Sequence, residues 1–384
     1  MATTNEYNAD SIQVLRGRDA VRRRPGMYVG DTHDGSGMHH MLWEILGNAI
    51  DEHLAGFATH VHIEINGHRI TIEDNGRGLS LAALEIVFTE LHAGTDKRPH
   101  VHLSSRMWGI GAAPVNALSS DLEVTTWRDG HEHSQRFVHG DPCGPIEYRG
   151  RSTRTGTRVS FVPDFTIFTN VPWDAPMIEA RCQHLAALLP GLAIAIDGNT
   201  HHYAEGLASL LREGRELVEP FRVRAAHEGI EIDAAIAWHA GPPSIASFVN
   251  CSPTVDGVHL QALRAATHAV IARRFHRGRI SRTRIERNML AVVHVMLAHP
   301  RFGNPSRDWL QNPEVGKAVR TIVERELSRH FDEAPAALDA LLLLLQPRSR
   351  PATRSDRSTP CPTRSARARS RRPRARARAG TVAR

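Results

Sequence analysis

The clearest periodic pattern in the chain lies between residues 39 and 54. Apolar residues recur there at steps of three and four, which predicts an amphipathic helix with one side in a core. Polar residues follow the opposite side at steps of about four: His40, Glu44, Asn48, Asp51 and Glu52. A water-facing surface accounts for such a stripe as well as a ligand pocket does, so this helix alone leaves both interpretations open.

The pattern that follows predicts a β-hairpin. Residues 61–65 and 70–72 alternate between apolar and polar positions, which is the period of a strand with one buried face. Asn66 and Gly67 lie between the two runs, and this dipeptide predicts a tight type I′ turn.

Asp74 is the most informative residue of the second predicted strand. It continues the parity of Ile70 and Ile72, which places a carboxylate on the buried side, where an unpaired charge is very costly. Gly76 and Gly78 follow directly and permit another group to approach the backbone closely. A ligand site explains this arrangement, and so does an ordinary Asx-type turn.

A second glycine pair comes before another predicted helix. Gly109 and Gly111 precede a helix that we expect to begin near Ala113, where backbone N–H groups and the helix dipole suit an anion such as phosphate. Further along, a run with strand periodicity begins at Thr157. Each of these features is weak evidence by itself.

Composition divides the chain of 384 residues into three parts. We predict folded domains at 1–215 and 216–346 and a disordered tail at 347–384, which is too rich in Arg, Pro and Ser to bury a core. The tail holds 13 arginines and one acid, so the net charge of +7 arises there and the rest of the chain is acidic. No apolar run of about 18 residues and no signal-peptide pattern occur, so we expect a cytoplasmic protein without a membrane span.

In this order, the motifs resemble the Bergerat-type ATP-binding fold of the GHKL superfamily, with its pattern E…N…D-x-G-x-G…G-x-G…T-G-T. The flanking residues are more specific. The segment "RRRPGMYVGDTHDGSGMHHMLWEILGNAIDEHLAG" resembles the N-terminal region of the bacterial gyrase B and topoisomerase IV B proteins. "FTNVPWD", "SFVNCSPTVDGVHLQALR" and "NPEVGKAVRTIVERELSRHF" extend the likeness through a second, transducer domain, to roughly residue 335.

The resemblance implies a fold and a function. The expected fold is α/β (α+β), a sandwich with helices on one face of a mixed sheet, followed by a ribosomal-S5-like α/β transducer domain. The expected function is that of the ATP-hydrolysing clamp of a type IIA DNA topoisomerase, with ATP and Mg²⁺ as cofactors. Its expected partners are DNA, a second copy of the chain upon ATP binding, and a gyrase A-type protein.

The resemblance also assigns roles to residues. Glu44 corresponds to the general base and His40 to its helper one turn earlier, a kind of catalysis worth about 10²–10⁴ in rate. Asn48 corresponds to the Mg²⁺ ligand, and Asp74 to the acceptor for the adenine amino group. The remaining implied ATP contacts are Tyr7 of the N-terminal arm, Arg77, Gly78 and Leu79 of the adenine pocket, Trp108, Gly109, Ile110 and Gly111 of the lid, Thr157, and Arg307 of the transducer loop.

The sequence departs from the family pattern in several places, among them the lid and the transducer loop. The lid, usually G-G-L-H-G-V-G-x-S, reads "SRMWGIGAA", and the transducer loop, usually Q-T-K, reads Pro305-Ser306-Arg307. Arginine keeps the positive charge of the lysine but presents it in a different geometry. Neither the E-G-D-S-A motif nor the D-x-D pair of the family's TOPRIM domain occurs, so we do not expect this chain alone to cleave DNA.

These departures leave alternatives. One is a truncated or divergent paralogue that binds ATP, hydrolyses it poorly and acts as a nucleotide- or DNA-binding module. Another is a DNA-binding protein that uses its arginine-rich tail on the phosphate backbone. The composition of the tail also fits GC-rich DNA read in a shifted frame, in which case the tail has no function of its own.

Overall fold

The structure is a computed structural model that describes residues 17–91, 93, 111–211, 216–275, 279–304 and 306–346, with the backbone only for 216–219. The described residues from Gly17 to Leu345 belong to one compact unit. Among the described helices, none has both the length and the apolar character needed to cross a membrane.

The helix that carries Glu44 begins three residues before the predicted range, and the helix expected near Ala113 begins at Ala112. The bounds of the helices are α1 Gly17–Arg23, α2 Gly26–Val29, α3 Ser36–Leu54, α4 Leu81–Thr89, α5 Ala112–Ala117, α6 Ala175–Leu188, α7 Val258–Arg274, α8 Arg282–Glu286, α9 Pro313–Glu333 and α10 Pro335–Leu344. A 3₁₀ helix spans Gly206–Leu211.

Within the described residues, nine strands form the first sheet: β1 His60–Asn66, β2 Arg69–Asp74, β3 Ser119–Arg128, β4 His131–Val138, β5 Asp141–Pro142, β6 Glu147–Arg151, β7 Gly156–Pro163, β8 Ala193–Ile196 and β9 Asn199–His201. Their order is β5-β4-β3-β7-β2-β1-β8-β9, and β6 pairs with β4. Strands β1 and β8 run parallel while the other pairs are antiparallel, so the sheet is mixed, as predicted.

The two faces of this sheet differ in chemistry because side chains alternate along each strand. On one face, buried residues such as Ile63, Ile72 and Phe161 share a core with the apolar side of α3. On the other face, ion pairs cross the strands, for example between Arg69 and Asp121 at 2.5 Å. One face therefore carries the helices and the other is polar, which confirms the predicted sandwich.

The predicted hairpin is present, but its turn differs from the expected type. Asn66 pairs with Arg69, so the two central residues are Gly67 and His68 rather than Asn66 and Gly67. Gly67 has φ 58°, and His68 is not among the residues with positive φ. A positive φ at the first central residue alone is the type II′ pattern, so the predicted type I′ turn is wrong. The predicted position of the turn is also wrong, by one residue.

The second sheet comprises β10 Glu216–His227, β11 Ile230–His239, β12 Ser244–Val249, β13 Ser252–Thr254 and β15 Met289–Met296. Their order is β10-β11-β15-β12-β13, and a ribbon of β14 Asp256–Gly257 and β16 Trp309–Leu310 lies beside α7. Alternate residues of β11 and β15 pack on α7 and α9, while Ala235, Leu290 and their neighbours of the same parity join the core of the first sheet. Because the two parts share a core, the boundary between residues 215 and 216 stays a prediction.

Strand β7 begins so close to the end of β2 that position 156 requires glycine. A Cβ on Gly156 would lie 1.9 Å from the carbonyl oxygen of Asp74, and Gly156 has φ 130°. Gly150 has φ 142° but open space around it, so it shares the backbone conformation without the steric conflict.

We therefore expect Gly156→Ala to lower the free energy of unfolding by roughly 1–3 kcal/mol more than Gly150→Ala. Both alanines are strained by their positive φ, and only the one at position 156 also displaces β2 from β7. Urea unfolding of both variants measures the difference. Equal losses in the two variants would show that close approach of the strands is not what selects glycine at position 156.

Candidate functional site

The polar side of α3 includes a carboxylate that is buried in the protein. The side chain of Glu44 is only 1% exposed. Its Oε2 atom accepts a hydrogen bond of 3.0 Å from the backbone N–H of Gly111, which lies 67 residues away in the chain. Gly111 has φ 77° and precedes the first turn of α5. Glu44 thus joins the stripe on α3 to Gly111 of the predicted anion-binding loop, and the water-facing interpretation is wrong for Glu44.

The other members of the stripe have different surroundings. One turn before Glu44, the partly buried ring of His40 places Nδ1 2.5 Å from the carbonyl oxygen of Val29. Burial lowers the pKa of His40 below its ordinary value, which favours the neutral ring. One turn after Glu44, the amide of Asn48 is exposed. Asp51 is buried, 3% exposed.

Asp74 closes another side of the site, as its parity predicted. It ends β2, is 8% exposed, and accepts a 2.8 Å hydrogen bond from the N–H of Gly76. The backbone of Thr157, its register partner on β7, provides a further hydrogen bond. Burial, with a smaller contribution from the carboxylate of Glu52, raises the pKa of Asp74 to about 7 despite these two bonds. The site thus holds a carboxyl group that changes charge near neutral pH.

Glu52 is a structural member of the site that the sequence did not identify as such. Its carboxylate accepts three hydrogen bonds from Arg77. The backbone N–H and Nε donate to Oε2, both at 3.0 Å, and Nη2 donates to Oε1 at 2.7 Å. The guanidinium also lies 4.0 Å from the centre of the Phe57 ring. Glu52 continues the stripe eight residues after Glu44, and that spacing is the signal that could have identified it.

Side chains of β3 donate hydrogen bonds to the loop that follows Asp74. Thr126 donates its hydroxyl to the carbonyl of Leu79 at 3.0 Å, and Arg128 donates to the carbonyl of Gly78 at 2.8 Å. Gly78 has φ 76°, and a Cβ there would lie 2.5 Å from the carbonyl oxygen of Trp127. The backbone at Gly78 therefore lies directly against the sheet, as the glycine spacing predicted.

Several predicted site residues are not brought into this arrangement by the described contacts. Arg307 is exposed in the turn before β16, with φ 55°, and its N–H donates to the carbonyl of Asn304 at 3.2 Å. It remains a predicted member of the site. The predicted contacts that lie outside the described residues are Tyr7, Trp108, Gly109 and Ile110.

Two family comparisons match most of the chain between them. The sequence model described as "Histidine kinase-, DNA gyrase B-, and HSP90-like ATPase" matches residues 33–167, the part that contains the site. The model described as "DNA gyrase B" matches residues 201–358.

Individual relatives agree with these families. The DNA gyrase B protein of Caulobacter vibrioides is 34% identical over 381 residues, covering 88% of this chain and 47% of the relative. The DNA gyrase B protein of Thermus thermophilus is also 34% identical, covering 87% of this chain and 58% of the relative. The chain thus spans about half the length of the curated relatives it matches.

Solved structures of related ATPase domains share the fold over nearly their whole length. The 43K ATPase domain of Thermus thermophilus gyrase B, solved in complex with an aminocoumarin, gives a TM-score of 0.74 at 31% identity, covering 85% of this chain and 93% of that chain. The topoisomerase IV ATP-binding domain of Francisella tularensis gives 0.70 at 26% identity, covering 86% of this chain and 96% of that chain.

The raised pKa of Asp74 has a consequence for stability. Between about pH 4 and pH 7 the folded protein keeps a proton on Asp74 that the unfolded chain has lost, so this group destabilises the fold as pH rises. One pKa unit corresponds to about 1.4 kcal/mol, so we expect an effect on the order of 1–4 kcal/mol. Asp74→Asn removes the effect because asparagine does not titrate.

Urea unfolding at pH 5 and pH 8 tests this. Relative to wild type, Asp74→Asn should become more stable at pH 8 than at pH 5. Glu64→Gln, which neutralises an exposed carboxylate on β1, is the control and should show no such change. A pH-independent difference between wild type and Asp74→Asn would contradict the assignment of the titration to Asp74.

Proposed function

This chain belongs to the DNA gyrase B family, in the ATPase region that gyrase and topoisomerase IV share, and on that premise we propose that it binds ATP with Mg²⁺ and hydrolyses the γ-phosphate. One observation carries the proposal. The buried carboxylate of Glu44 meets the backbone N–H of Gly111, which joins the candidate general base on α3 to the candidate phosphate-binding loop before α5.

In this proposal the two carboxylates have different tasks. Asp74 lies where an adenine amino group can donate to it, beside the backbone of Thr157 and the loop at Gly78. A donor at that position stabilises the ionised carboxyl group and lowers its pKa again. Glu44 takes the proton from the attacking water, while His40, one turn away and with its neutral form favoured by burial, helps to orient that water.

Asn48 fits the role of a Mg²⁺ ligand. Its exposed amide oxygen is a neutral, hard donor one turn after Glu44. Mg²⁺ keeps several waters and is held by one or two protein groups together with substrate phosphates. When bound, Mg²⁺ would neutralise charge on the phosphates.

In this proposal, residues of the lid and of the transducer loop close over the bound nucleotide. Trp108, Gly109 and Ile110 form the lid with Gly111, and Arg307 supplies a positive charge from the transducer loop. Arg77 borders the adenine side, where Glu52 and Phe57 hold its guanidinium, and Leu79 lies in the adjoining loop.

The assembly is part of the same proposal. ATP dimerises two copies through the N-terminal arm at Tyr7, hydrolysis separates them, and the cycle acts on DNA together with a gyrase A-type protein in the cytoplasm. The names and structures of the relatives support this proposal, whereas the chain spans about half of their length. The family membership does not favour the alternative of a module that holds ATP without turnover.

We expect Mg²⁺-dependent phosphate release by the wild-type chain and a loss of at least about 100-fold in kcat for Glu44→Gln, because the amide cannot accept the proton from water. Glutamine keeps an oxygen for the Gly111 N–H, so ATP affinity should change little. Phosphate release and isothermal titration with a non-hydrolysable ATP analogue measure the two quantities.

Glu64→Gln is the matched control, since it removes a carboxylate from the exposed face of β1 and should leave kcat unchanged. Full turnover by Glu44→Gln would remove Glu44 from the role of base. Tight binding of the analogue without turnover by the wild type would replace the proposed enzyme with a nucleotide-binding module.

A further inference from the structure

The ring of His40 is held in one tautomer by the loop that precedes α3. Its Nδ1 lies 2.5 Å from the carbonyl oxygen of Val29, and a carbonyl oxygen can only accept a hydrogen bond. Nδ1 therefore carries the proton. In the neutral ring, Nε2 then has the lone pair and is the atom able to accept a hydrogen bond.

The carbonyl of Val29 is fixed on its N-terminal side by core packing. The Val29 side chain is fully buried at 0% exposure, and its N–H donates to the carbonyl of Pro25 at 3.0 Å. Residues Gly26–Val29 form the single helical turn α2, which ends at Val29. Core packing therefore holds the Cα of Val29 in place, and the direction of its carbonyl is left to the peptide bond that joins it to Gly30.

On its C-terminal side the carbonyl is fixed by the backbone of Gly30. Gly30 has φ 81° and ψ −142°, a conformation essentially restricted to glycine. Its N–H donates to the carbonyl of Gly26 at 3.2 Å. A Cβ on Gly30 would meet only the His40 ring, with Cε1 at 3.5 Å and Nδ1 at 3.6 Å, which is ordinary van der Waals contact. Glycine is therefore needed here for its backbone conformation and not for space.

We propose that the turn at Val29 and Gly30 is a positioning element for ATP hydrolysis, which holds His40 in the Nδ1–H tautomer and so leaves Nε2 as the ring atom that can accept a hydrogen bond. This inference rests on the proposed function. The proton of the attacking water still goes to the Glu44 carboxylate, and the His40 ring neither gains nor loses a proton. The wrong tautomer would present an N–H donor in place of the acceptor and misalign the water.

The test uses the full chain with ¹⁵N-labelled histidine. Nitrogen NMR distinguishes protonated from unprotonated ring nitrogens, and the His40 signals are assigned by their loss in His40→Gln. We expect a protonated Nδ1 and an unprotonated Nε2 in the nucleotide-free wild type. An Nε2–H tautomer would overturn the proposal without any activity measurement.

Gly30→Ala then tests the link to catalysis. Because alanine disfavours φ 81° with ψ −142°, the Val29 carbonyl should shift and the His40 signals should show mixed tautomers. We expect kcat to fall about tenfold, with less than a twofold change in KM for ATP. This is less than the about 10²–10⁴ that general acid–base catalysis contributes, because the Glu44 carboxylate is still in place. A changed tautomer with an unchanged kcat would show that the turn does not position the reaction.

Gly130→Ala is the matched control. Gly130 has φ 79° and open space in the β3–β4 hairpin, so this variant is also strained by its φ, away from His40. In Gly130→Ala the His40 tautomer and kcat should match the wild type. A similar loss of kcat in Gly130→Ala would show that the effect of Gly30→Ala is due to destabilisation alone. If Gly30→Ala does not fold, Gly30→Asn gives the milder change, since asparagine enters positive φ more readily than alanine.

Failure of the proposed function is distinguishable from failure of this inference. Wild-type protein without ATP turnover would remove the function, while the NMR tautomer would still report whether the turn holds His40. Wild-type turnover together with freely exchanging His40 tautomers would retain the function and remove the positioning role.

Discussion

The buried carboxylate of Glu44 is the constraint on which the rest of the site depends. A carboxylate that is 1% exposed needs hydrogen-bond donors inside the protein, because burial without them is very costly. The N–H of Gly111 meets that need at 3.0 Å and so ties α3 to the loop before α5. The apolar side of α3 is committed to the core of the first sheet, so the helix cannot rotate to bring Glu44 into water. The result is a carboxylate held in a fixed position between α3 and the loop before α5.

Asp74 shows how the same fold holds a second carboxyl group for another purpose. Its neighbours are backbone N–H groups and the carboxylate of Glu52, and the guanidinium of Arg77 is bound to Glu52 instead of to Asp74. Burial therefore dominates and raises its pKa to about 7. A hydrogen-bond donor on a ligand would stabilise the ionised form of this carboxyl group. The adenine amino group is such a donor in the proposed function.

Much of this arrangement was predictable from sequence because it follows local periodicity. The helix at 39–54, the buried parity of Asp74 and the start of α5 beside Gly111 all follow from spacing of apolar residues and glycines. The turn at Gly67 was predicted one residue too early. The Asn-Gly dipeptide suggested Asn66 and Gly67 as the central residues, whereas the pairing of Asn66 with Arg69 makes Gly67 the first central residue.

The contacts that were missed join segments distant in sequence. Glu52 meets Arg77 across 25 residues, and Val29 meets His40 from a separate helical turn, so neither pair appears in a local pattern. Resemblance to the family supplied the roles of Glu44, Asn48 and Asp74, which periodicity alone could not distinguish from a polar surface and a turn. The lid and Arg307 remain predictions for the same reason, since their positions depend on contacts that sequence spacing does not determine.

A crystal structure of this chain with a non-hydrolysable ATP analogue and Mg²⁺ tests the central claim most directly. The account predicts the adenine amino group within hydrogen-bond distance of Asp74, the metal bound to the amide oxygen of Asn48, and the γ-phosphate between Glu44 and the loop at Gly111. An analogue bound elsewhere, or an adenine that makes no contact with Asp74, would contradict it.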